Sequence, residues 1–198
     1  MKVYIIRHAE KEKGEYYNPQ LRRQDEPISL GGRAAAEELI EYFSDKNIEA
    51  IYVSGYRRTG ETIAPLAARL GLVPVIDERL NEIDNGLIEG LSDAEVEERY
   101  PEVWSAYRRR SADFRFPEGE TGEEVRQRIA AFLDEKRRQH PDEAIVLVAH
   151  DGLIRLLACH VLGLPVYARW RFQVDFCGIM EISSLPDGEG WKLIRFNH

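Results

Sequence analysis

A nearly continuous apolar run, AIVLVA at Ala144–Ala149, restricts the possible folds more than any other segment. A run this short and this apolar is typical of a central strand that is buried on both faces of a sheet. It ends at His150, and four leucine or isoleucine residues between 153 and 157 then follow at helical spacing, with Asp151 as the predicted N-cap. A buried strand that leads into a helix is the repeating unit of mostly parallel α/β sheets.

Weaker signals of the same kind recur along the chain. Further strands are predicted at 3–6, 50–53, 73–76 and 191–196, and from the alternation of Phe172, Val174 and Phe176. Helices are predicted at 29–43, with Ser29 as the N-cap, and at 57–70, with a kink or break at Pro65. A third helix is predicted to start at a Ser92/Glu95 capping box and to carry Tyr100, Trp104 and Tyr107. A fourth is predicted at 121–138, starting at a Thr121/Glu124 capping box. A hairpin turn is predicted at 186–190.

This alternation of strands and helices predicts an α/β fold, a three-layer sandwich with a mostly parallel central sheet and helices on both faces. The stretch at about 91–117 departs from the alternation, because it is rich in aromatic and arginine residues and contains no strand pattern. We therefore expect a single domain over residues 1–198, into which 91–117 is inserted as a small helical lid.

Composition narrows the classes of partner. Of the 198 residues, 35 are Asp or Glu and 27 are Lys or Arg, which gives a net charge of −8, and such a chain is not expected to bind nucleic acid. The apolar run before Arg7 is too short for a signal peptide or a membrane span. With two cysteines, Cys159 and Cys177, no disulfide framework is expected, so the predicted location is the cytoplasm. No pattern indicates an oligomeric state.

Polar side chains follow four of the predicted strands. Arg7 and His8 follow the first, Arg57–Arg58 the second, Glu82 the third, and His150 the AIVLVA strand. Because ligands bind at the carboxyl ends of strands in open α/β sheets, these side chains should face one crevice. Each has an ordinary alternative explanation, such as a loop histidine bonded to backbone or a surface arginine on a helix. Only the set as a whole indicates a site.

These residue types suit phosphoryl transfer, which requires positioning and charge stabilisation on the phosphate oxygens. Arginine carries a permanent charge in a planar fork that matches those oxygens, and nearby arginines favour the neutral imidazole that a nucleophile needs. An acid that protonates the leaving oxygen needs a raised pKa, which we expect for Glu82 mainly once a phosphate dianion has bound. No carboxylates stand at metal-ligand spacing, so no metal is expected.

Six segments carry motifs in a fixed order: RHAE at 7–10, DEPISLG at 25–31, YVSGYRRTGET at 52–62, LNEIDNGLIEG at 80–90, PEGETGEEV at 117–125 and VLVAHDGLIR at 146–155. Together they resemble the histidine phosphatase superfamily, the phosphoglycerate-mutase-like proteins, over nearly the whole chain. The second segment is similar to the family's D-x-P-L-T-x-x-G. The third segment aligns Arg58 with the family's conserved arginine, the fourth aligns Glu82 with its acid, and the sixth aligns His150 with its second histidine.

The resemblance implies a metal-independent phosphomonoester phosphatase that needs no cofactor and acts on a small-molecule phosphate ester. His8 would accept the phosphoryl group as a phosphohistidine, Arg7 and Arg58 would hold the phosphate, and Glu82 would act as the acid. His150 would bind the phosphate as well and, if protonated, would supply a third cationic donor.

The sequence departs from the family pattern at two positions. Ala9 and Asp151 stand where the family has glycine. Ala9 adds only a methyl group, so little effect is expected. Asp151 puts a carboxylate beside the phosphate pocket unless it caps the following helix, which leaves the choice of substrate open.

Two further functions on the same fold remain possible. Cofactor-dependent phosphoglycerate mutases resemble R-H-G-E-S-x-W-N-x-x-N-R-F-x-G-W after the first strand, whereas the matching stretch here, KEKGEYYNPQLRRQD, has neither tryptophan nor phenylalanine, although Asn18 is present. A protein phosphohistidine phosphatase is favoured less, because the aromatic insertion at 91–117 should narrow the entrance to small-molecule dimensions. Phosphatase is therefore the leading hypothesis.

Overall fold

The computed structural model describes residues 1–21, 23–186 and 190–198. Its strands are β1 (Lys2–Arg7), β2 (Tyr17–Asn18), β3 (Arg23–Gln24), β4 (Ile48–Val53), β5 (Val75–Ile76), β6 (Ala144–Ala149), β7 (Ile179–Ser184) and β8 (Trp191–Arg195). Its α-helices are α1 (Leu30–Tyr42), α2 (Arg57–Leu70), α3 (Asp93–Arg99), α4 (Pro101–Arg109), α5 (Gly122–Gln139) and α6 (Asp151–Val161). Short 3₁₀ turns are formed by Glu78–Leu80, Gly86–Ile88 and Val166–Arg171.

The main sheet has the strand order β5-β4-β6-β1-β7-β8. The first four strands of this order are parallel to one another. β7 pairs antiparallel with β1, and β8 pairs antiparallel with β7. β2 and β3 form a separate two-stranded ribbon. The predicted mostly parallel α/β sheet is confirmed.

β6 lies between β4 and β1, which explains why its sequence is apolar at almost every position. Ile145 and Leu147 pack in one buried cluster with α5 and α6, whereas Val146 and Val148 pack in another with α1 and α2. Successive side chains of a strand point to opposite faces, so one strand supports both helical layers. The predicted three layers are therefore confirmed.

Helix starts follow local sequence signals closely. The Ser29 hydroxyl accepts the Gly32 N–H at 3.0 Å, and both predicted capping boxes are formed. The predicted break at Pro65 does not occur, since α2 is one continuous helix, and its buried face holds it against the sheet. One expectation was wrong. The helix after Ser92 is interrupted at Tyr100, because Pro101 disfavours helical geometry in the residue before it.

The predicted strand at Phe172, Val174 and Phe176 was also wrong. These residues follow the 3₁₀ turn of 166–171 and form no strand; the antiparallel partner of β1 is instead β7, which the sequence pattern did not predict. The third predicted strand is shorter than expected and comprises only β5. The hairpin predicted at 186–190 depends on residues 187–189, which lie outside the described residues.

The loop after β1 is joined to the first turn of α1. Ser29 donates to the Glu10 carbonyl oxygen through its backbone N–H at 2.8 Å, and to the Glu10 carboxylate through its hydroxyl at 2.8 Å. A Cβ on Gly32 would lie 2.3 Å from the Glu10 carbonyl oxygen, whereas one on Gly31 would meet nothing nearer than 3.5 Å. The glycine that this segment requires is therefore Gly32, one residue beyond the stretch 25–31 compared with the family motif.

We predict that Gly32→Ala destabilises the protein by about 1–3 kcal/mol, because the added methyl group must displace backbone. The same shift should lower activity, since Glu10 lies two residues beyond His8. Gly31→Ala is the matched control on the exposed side of the same turn, where better helix propensity should stabilise the protein by up to about 1 kcal/mol. Urea unfolding measures both free energies, and equal effects would contradict the close approach at Gly32.

Candidate active site

The pairing of β1 with β6 brings two histidines together. Arg7 pairs with Ala149 in parallel register, and the His8 N–H donates to the Ala149 carbonyl oxygen at 3.0 Å. The residues that follow the two strands therefore leave the sheet side by side. The ring centroids of His8 and His150 are 5.2 Å apart, and both side chains are buried. The expected convergence of strand-end residues is confirmed for this pair.

Arg58 reaches the two histidines from the first turn of α2. Its Nη2 lies 3.1 Å from His150 Nδ1, and its Cζ lies 4.2 Å from the centre of the Tyr56 ring. Nη1 is 3.6 Å from the Glu26 carboxylate, yet neither Nε nor Nη1 has a hydrogen-bond acceptor in the described chain, although both are buried. Buried N–H groups without acceptors are costly, and a bound anion would satisfy them.

Arg7, the last residue of β1, is held by the segment before β7. Its Nη1 donates to the Val174 carbonyl oxygen, and its Cζ lies 4.1 Å from the centre of the Phe176 ring. Its backbone bonds to Cys177 and Gly178 at 3.1 Å each. The Arg7 Nε is buried and has no acceptor among the described residues, so it too is available to an anion.

His8 is held as a neutral imidazole with one nitrogen free. Nδ1 lies 2.8 Å from the Ala9 carbonyl oxygen, and since a carbonyl can only accept, Nδ1 carries the hydrogen and Nε2 carries the lone pair. Burial and the charge of Arg58, with a smaller effect of Arg7, lower the pKa of His8 to about 3. Nε2 can therefore act as a nucleophile at neutral pH.

His150 is also neutral in this structure. An arginine can only donate, so the contact from Arg58 makes Nδ1 an acceptor and leaves the hydrogen on Nε2, which lies 2.8 Å from Ser54 Oγ. Burial, Arg58 and His8 hold the pKa of His150 well below its usual value. The possible third cation is therefore uncharged in the free protein. A dianion that enters the site would favour its protonation.

Glu82 reaches the site at the N-terminus of α6, directly beyond His150. Its carboxylate accepts the backbone N–H groups of Ile83 at 2.9 Å, Gly152 at 3.1 Å and Leu153 at 2.9 Å. These bonds favour the charged form, but burial outweighs them and raises the pKa of Glu82. We had expected this rise mainly after substrate binds, whereas burial produces it in the free protein. The pKa values of Glu82 and His8 are thus shifted in opposite directions by the same loss of water.

Asp151 does not cap α6 as predicted. The N-cap residue is His150, and Asp151 is the first helical residue. Its carboxylate forms a two-point ion pair with Arg155, at 2.9 Å to Nε and 2.7 Å to Nη2. The pair forms because four residues along a helix bring side chains onto one face. The negative charge of Asp151 is therefore partly neutralised by Arg155 on the same helix.

One of the predicted strand-end residues, Arg57, lies outside the site, and several residues of the site were not predicted. Arg57 is exposed and pairs with Glu61 at 2.5 Å. Ser54 was missed although it directly follows β4, as His150 directly follows β6; this position was the available signal. Glu26 was missed because nothing in the sequence indicates that it approaches Arg58. Phe176 was missed because it was interpreted as a strand residue.

A cavity of about 340 Å³ lies beside Glu82 and the first turn of α6. Its walls include Glu82, Asp151 and Gly152 from the site, and Val96, Val103, Trp104, Tyr107 and Phe116 from the stretch at 91–117. A leaving group attached to a phosphate at His8 could extend into this space. The stretch that departs from the α/β alternation thus lines the part of the site that would contact the leaving group.

In residues 1–21, 23–186 and 190–198, no group of three or more His, Cys, Asp or Glu side chains could hold a metal ion. No helix in them combines the length and the apolar character that a membrane span requires.

Comparison with known proteins agrees with this geometry. A family model described as histidine phosphatase superfamily (branch 1) matches residues 3–198. Phosphoserine phosphatase 1 of Hydrogenobacter thermophilus is 32% identical over 178 residues, which cover 88% of this chain and 82% of that protein. A protein of Escherichia coli O1:K1 / APEC named "Probable phosphoglycerate mutase GpmB" is 30% identical over 202 residues, which cover 96% of this chain and 90% of that protein.

A solved structure shows the same architecture. A mycobacterial glucosyl-3-phosphoglycerate phosphatase superimposes with a TM-score of 0.81 at 27% identity, covering 99% of this chain and 98% of that chain. The fold therefore occurs in a solved phosphatase structure, and a phosphatase and a protein named as a probable mutase resemble this chain in sequence over most of its length.

We predict that His8 does not titrate between pH 5 and 8, because its pKa is lowered to about 3, and that the pKa of His150 lies well below the usual histidine value. The measurement is the pH dependence of the imidazole carbon and nitrogen chemical shifts in ¹³C/¹⁵N-histidine-labelled protein, with the two signals assigned from the His8→Gln and His150→Gln spectra. Adding phosphate should move the His150 transition upward. A transition of either residue near pH 6.5 in the free protein would contradict the burial argument.

Proposed function

The chain belongs to the histidine phosphatase superfamily, and from that membership we propose that it is a phosphomonoester phosphatase that acts through a phosphohistidine on His8. The observation that carries the proposal is the pair of neutral imidazoles beside two buried arginines whose N–H groups lack acceptors. A phosphate ester supplies the missing acceptors and places phosphorus in front of a nucleophilic nitrogen.

In the first step, His8 Nε2 attacks phosphorus in line with the leaving oxygen. The N–P bond forms, the P–O bond breaks, and the proton of Glu82 passes to the leaving alkoxide. In the second step, water attacks the phosphohistidine while the Glu82 carboxylate takes a proton from that water. Inorganic phosphate leaves and His8 returns to its neutral form.

Charge stabilisation in both steps is assigned to Arg7, Arg58 and His150. The two arginines remain charged throughout and require no reorganisation, because backbone and aromatic contacts already hold them. His150 becomes the third donor once the dianion favours its protonation. Three cations around one phosphate would perform the role that a metal ion has in many phosphoryl-transfer enzymes, so we propose a metal-independent reaction.

We propose a small-molecule phosphate ester as the substrate class and the cytoplasm as the location. The cavity beside Glu82 supports the first, since its volume suits a small leaving group, as do the names phosphoserine phosphatase and glucosyl-3-phosphoglycerate phosphatase among relatives. The absence of paired cysteine spacings supports the second. We further propose that the stretch at 91–117 acts as a lid on a single domain.

A cofactor-dependent mutase is the second candidate, favoured by the mutase-like relative. The stretch after His8 argues against it, because Asn18 donates to Asp25 at 2.9 Å and is engaged within the β2–β3 ribbon. A protein phosphohistidine phosphatase ranks third, because the aromatic side chains of 91–117 restrict access to Glu82.

We predict that His8→Ala lowers phosphate release from small esters by about three orders of magnitude or more, because no other group replaces the nucleophile. Wild type mixed rapidly with ³²P-labelled ester should yield an acid-labile phosphoprotein that His8→Ala lacks. His198→Ala, which removes an exposed imidazole elsewhere, is the matched control and should keep full activity.

The same assay separates the candidates. Phosphate release that persists in excess chelator supports the proposal, whereas dependence on magnesium would overturn the metal-independent mechanism. Isomerisation of phosphoglycerate that requires added bisphosphoglycerate and exceeds hydrolysis would establish the mutase instead. Phosphate release only from phosphohistidine in proteins would favour the third candidate.

We predict that Glu82→Gln slows hydrolysis of alkyl phosphates by about two to four orders of magnitude, and that of 4-nitrophenyl phosphate far less, because nitrophenolate leaves without a proton. For wild type on an alkyl phosphate, kcat/KM should fall as pH rises through the raised pKa of Glu82, since the acid form is lost. Phosphate esters titrate near pH 6 themselves, so both proteins are compared on the same ester. Equal slowing on both esters, or an unchanged alkaline limb in the variant, would exclude Glu82 as the acid.

A further inference from the structure

A buried carboxylate lies beside Arg58, one of the two arginines to which phosphate binding is assigned. Glu26 stands two residues beyond β3 and is only 8% exposed. Its Oε2 lies 3.6 Å from Arg58 Nη1 and has no hydrogen-bond donor among the described residues. A separation of 3.6 Å is too long for a hydrogen bond. Glu26 therefore acts on Arg58 through its charge and not through a directed bond.

Lys11 compensates part of this buried charge. Its Nζ lies 2.6 Å from Glu26 Oε1, and its side chain is 43% exposed. Burial raises the pKa of Glu26, but the contact with Lys11 and the charge of Arg58 outweigh burial and hold the pKa below its usual value. Glu26 is therefore an anion at neutral pH, placed between a cation at the phosphate site and a cation at the surface.

The orientation of Arg58 does not require Glu26. The guanidinium is already held by the Tyr56 ring, whose centre is 4.2 Å from Cζ, and by His150 Nδ1, which is 3.1 Å from Nη2. What Glu26 changes is the electrostatic potential at the phosphate site. A carboxylate this close to Arg58 offsets part of the attraction between the guanidinium and a dianion, and burial limits the screening of this effect by water and salt.

An opposing charge of this kind has a use in the proposed reaction. Inorganic phosphate, the product, can form the same contacts with Arg7, Arg58 and His150 as the phosphate group of the ester. Stronger attraction in the ground state would therefore retain the product as well as bind the substrate, and product release limits turnover in many enzymes. Without an opposing charge, three cations would make inorganic phosphate a stronger inhibitor.

We propose that Glu26 weakens phosphate binding by offsetting the charge of Arg58, and that it thereby limits inhibition by the inorganic phosphate that is released. The inference rests on the proposed phosphatase function. The alternative is that Glu26 only supports the fold or the position of Arg58. The two explanations predict opposite changes in phosphate affinity when the charge of Glu26 is removed.

The test is Glu26→Gln, which removes the charge and keeps the size of the side chain. The dissociation constant of inorganic phosphate, measured by titration calorimetry at pH 7, should fall by about 5- to 50-fold. The inhibition constant of phosphate in the hydrolysis of 4-nitrophenyl phosphate should fall by the same factor. Glu15→Gln is the matched control, because Glu15 is an exposed carboxylate that lines the same cavity as Glu26 and Lys11. Water screens its charge, so the dissociation constant should change by less than about twofold.

Lys11→Met tests the inference in the opposite direction. Removal of this cation leaves Glu26 less compensated, so the dissociation constant of phosphate should rise by about 3- to 10-fold. Because the Lys11 side chain is partly exposed, this variant keeps the inference testable if Glu26→Gln does not fold, which a thermal unfolding midpoint reports.

An unchanged or higher dissociation constant in folded Glu26→Gln overturns the inference, as does an unchanged or lower one in Lys11→Met. Calorimetry requires no turnover, so these results are independent of the proposed function. That function fails if no ester yields His8-dependent phosphate release, whatever the affinity of the variants for phosphate.

Discussion

The parallel ladder between β1 and β6 determines where the reactive groups lie. Arg7 and Ala149 are in register at its end, so the chain places His8 and His150 on neighbouring strand ends with their rings 5.2 Å apart. A slip of one residue would turn the strand side chains to the opposite face of the sheet, and the buried clusters on both faces oppose such a slip. The packing of Ile145, Val146, Leu147 and Val148 thus sets the geometry of the candidate site as well as the stability of the core.

The exclusion of water at the ends of these strands shifts the pKa values of His8 and Glu82 in opposite directions. It disfavours the charged imidazolium and the charged carboxylate alike, so it lowers the pKa of His8 and raises that of Glu82. Arg58 adds to the first effect, whereas three backbone N–H donors oppose the second without reversing it. Both shifts favour a neutral nucleophile and a protonated acid, the pair of states that two-step phosphoryl transfer through a histidine requires.

The leaving-group side is assembled from a different part of the chain. α3, α4 and the residues up to Phe116 supply aromatic walls, and the 3₁₀ turn at 166–171 supplies Trp170 and Arg169. Asp113 links the start of α5 to this turn, because its carboxylate accepts the first two backbone N–H groups of α5 and lies near Arg169. Under the proposed function, phosphate binding would depend on the sheet, whereas discrimination among alcohols would depend on the segments that line the cavity.

The doubly buried β6, the Ser29 cap and both capping boxes depend on near neighbours and could be predicted from the sequence alone. The mostly parallel sheet and the grouping of His8, Arg58 and His150 could also be predicted, because strand ends of such a sheet share one edge. The motif order also indicated the family. Individual contacts with remote partners could not be predicted. Residues 172–176 alternate like a strand, yet their backbone holds Arg7; Asp151 fits a cap, yet it pairs with Arg155. The contacts of Ser54 with His150 and of Arg169 with Asp113 could be found only from the tertiary structure. Periodicity and spacing carry no information about which distant group a buried polar atom will face.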